Sequence, residues 1–304
     1  MMIKIGKAIV RSLDRITDAI LYLILFLALA LWAYSLWESQ QVYQTAASAN
    51  YTAFRPAEDS ELSFDELRAV NPEVIAWLTV NGTPIDYPVT QAPNNEKYIN
   101  TDVMGNFTLS GAIFLDYRNS PSFEDFCSVV YGHHMEKKLM FGALSDFAEQ
   151  DYLDGHPYGN LFFNGKDHGI EFFALILTDA YDKDLYLFAL DKQEERRAYL
   201  ETIRSKALTQ RPIELGTEDH LVMLSTCTSQ ITNGRYLLIG KITEELHPQE
   251  NRASAHRPLE NGTDKAELTG VNSVPVWVWA GMLAGLLALM YTMKCRPKRQ
   301  GRKG

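Results

Sequence analysis

The sequence predicts a mainly β domain, a closed or nearly closed barrel, flanked by two transmembrane helices. Three observations carry that expectation. Short strand-like runs recur through the middle of the chain, few helical patterns interrupt them, and a long uncharged apolar stretch lies towards each end of the 304 residues.

The strand-like runs fall near 74–80, 85–89, 111–117, 126–134, 159–164, 169–181, 220–227 and 235–242. Ser63-Phe64-Asp65-Glu66 reads as a capping box opening a short helix that stops before Pro72. A second helix is expected over 140–150, with Met140, Phe141, Leu144 and Phe147 on one face. A third is expected over 192–208, where Tyr199, Leu200, Ile203 and Leu208 pack while Glu194, Glu195, Arg196 and Arg197 stay solvated. The whole domain is expected over 61–246. Polar segments at 38–60, with Arg55-Pro56, and at 247–273 read as a stalk and a linker.

The apolar stretches set the location. Residues 19–37 carry no charge and at helical rise cover roughly 28 Å, about one bilayer core. Residues 274–293 supply a second span. Trp32, Trp37, Trp277 and Trp279 lie at the ends facing the central domain, where interfacial aromatics belong. Lys4, Lys7, Arg11 and Arg15 lie in the tail 1–18. Lys294, Arg296, Lys298, Arg299, Arg302 and Lys303 lie in the tail 294–304. This places both termini in the cytoplasm and the domain outside the cell. Ala47-Ser48-Ala49 fits a signal-peptidase site, but the apolar run exceeds a typical signal core, so an uncleaved anchor is favoured.

Composition excludes several function classes. With the tails set aside, nineteen basic and thirty-six acidic residues remain, a balance of −17 that disfavours nucleic acid as a partner. No phosphate-cradling glycine motif is present. The three cysteines, at 127, 227 and 295, show no CxxC or zinc spacing, so no metal, no cofactor and no disulfide framework are expected. Cys295 has no assignable role.

The chemistry concentrates at strand ends. Leu221 to Cys227 is an apolar run ending on a thiol. A connection containing Asn233-Gly234 follows, and Arg235 opens the next strand. If the two strands are antiparallel neighbours, Cys227 and Arg235 share one end of the sheet. Phe126 to Tyr131 is another strand, and Gly132 permits a tight exit before His133. Thiol, fixed cation and imidazole form a nucleophile, oxyanion-donor and acid/base set. The competing interpretation is a core cysteine, a surface arginine and a capping histidine. Thr226 and Thr228 are candidate substrate contacts, Thr228 also through its backbone N–H. Ser225 is placed with them, and no GxSxG elbow makes it a nucleophile. His134 should face away from its neighbour by strand alternation, and Cys127 should be core.

At these residues the chain resembles the class B sortases. Leu224-Ser225-Thr226-Cys227 is similar to their TLxTC signature, with Met223 before it, and Arg235 falls eight residues after the cysteine. Tyr131-Gly132-His133-His134-Met135 with Met140-Phe141 resembles their histidine segment. Further similar segments follow in the same order: Phe64-Asp65-Glu66-Leu67, Asn71-Pro72-Glu73-Val74, Trp77-Leu78, Ile85-Asp86-Tyr87-Pro88-Val89 and Gly111-Ala112-Ile113-Phe114-Leu115-Asp116-Tyr117. The resemblance covers roughly 60–245 and implies an eight-stranded barrel with an N-terminal helix. The helix at 192–208 would be the one class B members carry between strands 6 and 7.

The resemblance also implies a membrane-anchored cysteine transpeptidase of a Gram-positive cell surface, with His133, Cys227 and Arg235 catalytic. It would cleave the C-terminal sorting signal of a surface protein or pilin through a thioacyl intermediate. The acceptor would be an amine of a peptidoglycan precursor or a pilin lysine. A membrane-anchored cysteine endopeptidase and a non-catalytic surface-binding barrel are the alternatives. The second span departs from the usual class B pattern of one anchor and is reminiscent of pilin-polymerising members. The sorting motif, whether LPxTG-like or of an Asn-Pro type, is not legible.

Overall fold

The computed structural model describes residues 2–56, 64–228, 230, 232–247 and 285. All of the second predicted span but Gly285, its basic tail, Cys295, most of the linker, and Ser63 of the capping box lie outside them. Contacts divide the chain after Gln41, with Val42–Gly262 as one compact unit. Helix α1, Met2–Thr45, runs through the first predicted span. Its stretch Ile9–Thr45 is long and apolar enough to cross a membrane, and among the described residues it is the only helix that is. It continues beyond Trp37 because no Gly or Pro interrupts 38–45. Asn50 ends it by donating its side-chain amide to the Gln44 carbonyl at 2.6 Å.

The segment expected as a stalk is partly packed. Ala46, Tyr51 and Phe54 are buried in the main core. Tyr87 donates its hydroxyl to the Ala46 carbonyl (3.0 Å) and accepts from the Met140 N–H (3.1 Å). Arg55 is ion-paired with Asp86. Apolar side chains at 51 and 54 bury against the barrel, so 42–56 belongs to the domain rather than to a free tether.

Helix α2, Phe64–Val70, leads into the strands β1 Val74–Val80, β2 Asp86–Thr90, β3 Ile113–Leu115 and β4 Cys127–Tyr131. After helix α3, Gln150–Gly155, come β5 Tyr158–Phe163 and β6 Lys166–Asp179, then helix α4 Gln193–Lys206 and the strands β7 Ala207–Gln210, β8 Leu221–Thr228 and β9 Gly234–Thr243. The sheet order is β5-β1-β2-β3-β4-β8-β9-β6-β7, and β5 also pairs with β6. That pairing closes eight strands into a barrel. Its hairpin turns at Asn164-Gly165, both at positive φ (52° and 75°), the two-residue turn that matches strand twist.

A ninth strand, β7, differs from the expectation. The predicted helix over 192–208 stops at Lys206, and Ala207–Gln210 pairs with the part of β6 that β5 leaves open. Alternation then buries Thr209 and exposes Leu208, which was expected to pack. Tyr199, Leu200 and Ile203 of α4 are buried as their spacing predicts. Arg196 is half-buried rather than solvated, donating to the carbonyls of Leu190 and Thr217. The helix expected over 140–150 is a tight 3₁₀ segment, Gly142–Ala148, followed by α3. Met140 adopts a φ of 51°, outside any right-handed helix, yet Met140, Phe141, Leu144 and Phe147 are all buried.

Two apolar clusters explain why β8 reads as one continuous hydrophobic run. Val222 and Leu224 join the main core, with Val130, Tyr236 and Leu238. Leu221 and Met223 face the opposite way, with Cys127, Val129, Leu237 and Ile239, and are covered by Leu185, Leu190 and α4. A strand buried on both faces has no polar alternation.

Candidate active site

β4, β8 and β9 lie side by side, and their registers bring three side chains to one edge. Cys227 pairs directly with Arg235 across the antiparallel β8–β9 ladder. Directly opposed residues share a face, with Cβ atoms about 4.5–5.5 Å apart. β4 runs parallel to β8 with Tyr131 opposite Ser225, and the Gly132 N–H donates to the Ser225 carbonyl at 3.1 Å. β4 ends at Tyr131, and the chain carries Gly132 and His133 out of it beside the end of β8 that holds Cys227. Alternation assigns the faces within the strands: Tyr131 follows Cys127 and Val129, while Cys227 follows Leu221, Met223 and Ser225. Arg235 stands with Leu237 and Ile239. Cys227 and Arg235 therefore share the outer face of the barrel wall, at the end where His133 leaves β4.

Cys227 is exposed and Cys127 buried. The Cys127 thiol is pushed up to about 12 by burial, although the Tyr199 hydroxyl lies 3.6 Å from its sulfur. An ionised form is thereby disfavoured at neutral pH. Arg235 donates from Nη1 to the Gly234 carbonyl at 3.0 Å. His133 places Nε2 2.8 Å from the Ile99 carbonyl. A carbonyl only accepts, so Nε2 carries the proton and the ring is held in one orientation. His134 is exposed, and its backbone bridges Met140. Gly132 does not adopt positive φ. It is required by space, since a Cβ there would come 2.5 Å from Ile113 and 2.7 Å from Phe141.

The three expected substrate contacts differ from one another. Ser225 is 1% exposed and its hydroxyl is hydrogen-bonded to that of Tyr186 at 3.0 Å. Thr226 points inward, 2% exposed, with no protein partner for its hydroxyl among the described residues. Thr228 is half-buried at the rim and accepts from the Gln230 N–H at 3.2 Å. No group of three or more His, Cys, Asp or Glu residues among the described ones is arranged to hold a metal ion.

Residues assigned no role from sequence surround this edge. Tyr186, in the connection between β6 and α4, stacks on Tyr131 with centroids 6.5 Å apart and planes at 15°. Its phenol is raised above its ordinary value by burial, against the lowering effect of the Ser225 hydrogen bond and the nearby Arg235 charge. Asp116, fully buried, receives hydrogen bonds from Arg118, Asn95 and Tyr131. The one available signal was an acidic residue closing the apolar run Ile113-Phe114-Leu115.

No family model matches the chain. Among solved structures, sortase B from the type II pilus of Streptococcus pneumoniae is 42% identical, covering 60% of this chain and 99% of that one, with a TM-score of 0.54. The chain belongs to the class B sortases. A Streptococcus pyogenes class B sortase involved in pilus biogenesis is 40% identical, covers 60% of this chain and 98% of that one, and has a TM-score of 0.55. The curated sortase B of Listeria monocytogenes is 28% identical over 181 residues, 58% of this chain and 72% of that protein. In this sortase the eight-stranded closure agrees with the fold expected of the class.

Proposed function

We propose that this sortase is a cysteine transpeptidase in which Cys227, His133 and Arg235 carry the reaction. The observation behind the reading is the direct pairing of Cys227 with Arg235, next to a parallel strand, β4, that ends two residues before His133. The Cys227 thiolate attacks the carbonyl carbon of a scissile peptide bond, and the carbonyl electrons move onto oxygen. The guanidinium of Arg235 donates to that oxyanion, and the Thr228 N–H is a second candidate donor. As the intermediate collapses, the C–N bond breaks and protonated His133 delivers a proton to the departing amine. An acceptor amine then attacks the thioester, gives up a proton, and releases the thiolate.

The donor in this reading is a surface protein or pilin bearing a C-terminal sorting signal. The Streptococcus pneumoniae and Streptococcus pyogenes relatives are both associated with pili, which favours a pilin-class donor and a pilin lysine as acceptor over a peptidoglycan-precursor amine. The domain lies outside the cell, held by α1 and by a second span at 274–293, with both basic tails in the cytoplasm.

The test is a peptide-library cleavage profile, followed by single-turnover trapping of the thioacyl enzyme. Added amine should convert the released acid into an amide. Product that stays acid at every amine concentration would make the protein an endopeptidase. Protease added to intact cells should digest the domain and spare tags at both termini.

A further inference from the structure

We infer that Asp116 is a positioning residue that sets one wall of the substrate groove, acting through Arg118 and Tyr131 on the segment that carries Tyr186 and Phe188. The inference rests on the transpeptidase reading for its substrate and on the geometry for everything else. The connection between β6 and α4 has no helix or strand from 182 to 191, yet it passes beside the site. Tyr186 reaches the Ser225 hydroxyl, two residues before Cys227 and on the same face. Tyr181 and Leu187 in this connection are exposed, at 77% and 37%.

The beginning of the connection is pinned by Asp182, which accepts from Lys206 at 2.7 Å and from Thr178 at 2.7 Å. Leu185 is pinned through its carbonyl to the Tyr199 hydroxyl at 2.7 Å. Beyond it, two aromatic grips take over. The Arg118 guanidinium lies 3.6 Å from the centre of the Phe188 ring, and Tyr131 stacks on Tyr186. Both grips end on one carboxylate. Arg118 donates from Nε and Nη2 to the two oxygens of Asp116, each at 2.8 Å, and Tyr131 donates its hydroxyl at 3.1 Å.

A buried carboxylate is tolerated only when its oxygens are paired. Here the pairing orients a planar cation so that its face meets Phe188. A lysine would keep the charge and lose the fork and the flat contact. The position of Tyr186 over the Ser225–Cys227 edge is thus set by a group that never meets substrate. Its loss should change how a long peptide is received and leave the chemistry intact.

The experiment compares wild type with Asp116→Asn, Arg118→Lys and Phe188→Leu, using a peptide from the cleavage profile and two thiol reagents of different size. Each variant should raise KM about tenfold, the size of one lost cation–π or charge-assisted contact, with kcat within about twofold. Cys227 should react with methyl methanethiosulfonate at an unchanged rate, while its rate with a bulky maleimide shifts severalfold. The double variant Arg118→Lys/Phe188→Leu should be no worse than either single change. Arg118 and Phe188 lie towards the surface, so these variants decide the matter even if Asp116→Asn fails to fold. Unchanged KM and unchanged reagent selectivity, or a fall in kcat at constant KM, would overturn the inference. If the wild-type protein turns over no peptide, the transpeptidase reading fails, and the reagent rates still decide whether the wall is set by Asp116.

Discussion

Cys227 and Arg235 are direct partners on the β8–β9 ladder, so the sulfur and the guanidinium leave the sheet from neighbouring points on one face. Five residues, 229–233, connect the strands, with Asn233 at a φ of 54° completing the turn. No motion is needed to bring thiol and guanidinium to the same edge.

That pairing predicts the behaviour of Arg235→Lys. An ammonium keeps the charge and lacks the planar donor fork, so kcat/KM on a sorting peptide should fall by about 10²–10³, the usual cost of losing one oxyanion donor. Full activity in Arg235→Lys would remove the arginine from the oxyanion site.

The two described cysteines should separate cleanly. Cys227→Ala should form no thioacyl enzyme, whereas Cys127→Ala should turn over peptide with a lowered Tm. Iodoacetamide at neutral pH should label Cys227 and spare Cys127, which is 2% exposed and whose thiol is pushed up to about 12 by burial. Because that value is raised, the stabilisation from burying a neutral thiol is complete below the ordinary 9.0 and is lost as pH climbs through about 12. Mass spectrometry of the labelled native protein checks the assignment.

His133 and His134 should differ by orders of magnitude. His133 is oriented by the Ile99 carbonyl, while His134 is exposed beside it. His133→Ala should lose turnover, and His134→Ala should retain most of it. Equal defects in kcat/KM would mean the strand exit does not alternate as described.

Acid should loosen the Asp116 cluster. Burial alone would raise this carboxyl, but the hydrogen bonds from Arg118 and Asn95 outweigh it and hold the group below its ordinary range. A depressed carboxyl stabilises the fold above its unfolded value, and that contribution is lost as pH falls through the folded one. Tm of the wild type should therefore drop more steeply with acid than Tm of Asp116→Asn. Parallel profiles would show that the cluster is not what titrates.

Local features were legible without any contacts. The strand runs, the thiol closing β8, the arginine opening β9, the apolar face of α4 and the long apolar helix α1 each depend on residue type and spacing within one segment. The same local reading overextended α4 by two residues. Leu208 fits a helical stripe, and only the free edge of β6 turns 207–210 into a strand.

Tertiary structure alone decided the neighbours. β4 and β8 pair in parallel with almost ninety residues between them, and only that crossover brings the segment leading to His133 beside the strand that holds Cys227. The Ile99 carbonyl on His133, the seating of Tyr51 and Phe54 in the core, and the joining of Arg118 and Tyr131 at Asp116 are likewise contacts between distant segments. A backbone carbonyl has no residue signature, and a buried carboxylate is recognised only by the partners that surround it. The sequence by itself marked the candidate residues for the chemistry and eight of the nine strands. Barrel closure decided which of them meet, because register and the packing of far-apart segments exist only in the folded chain.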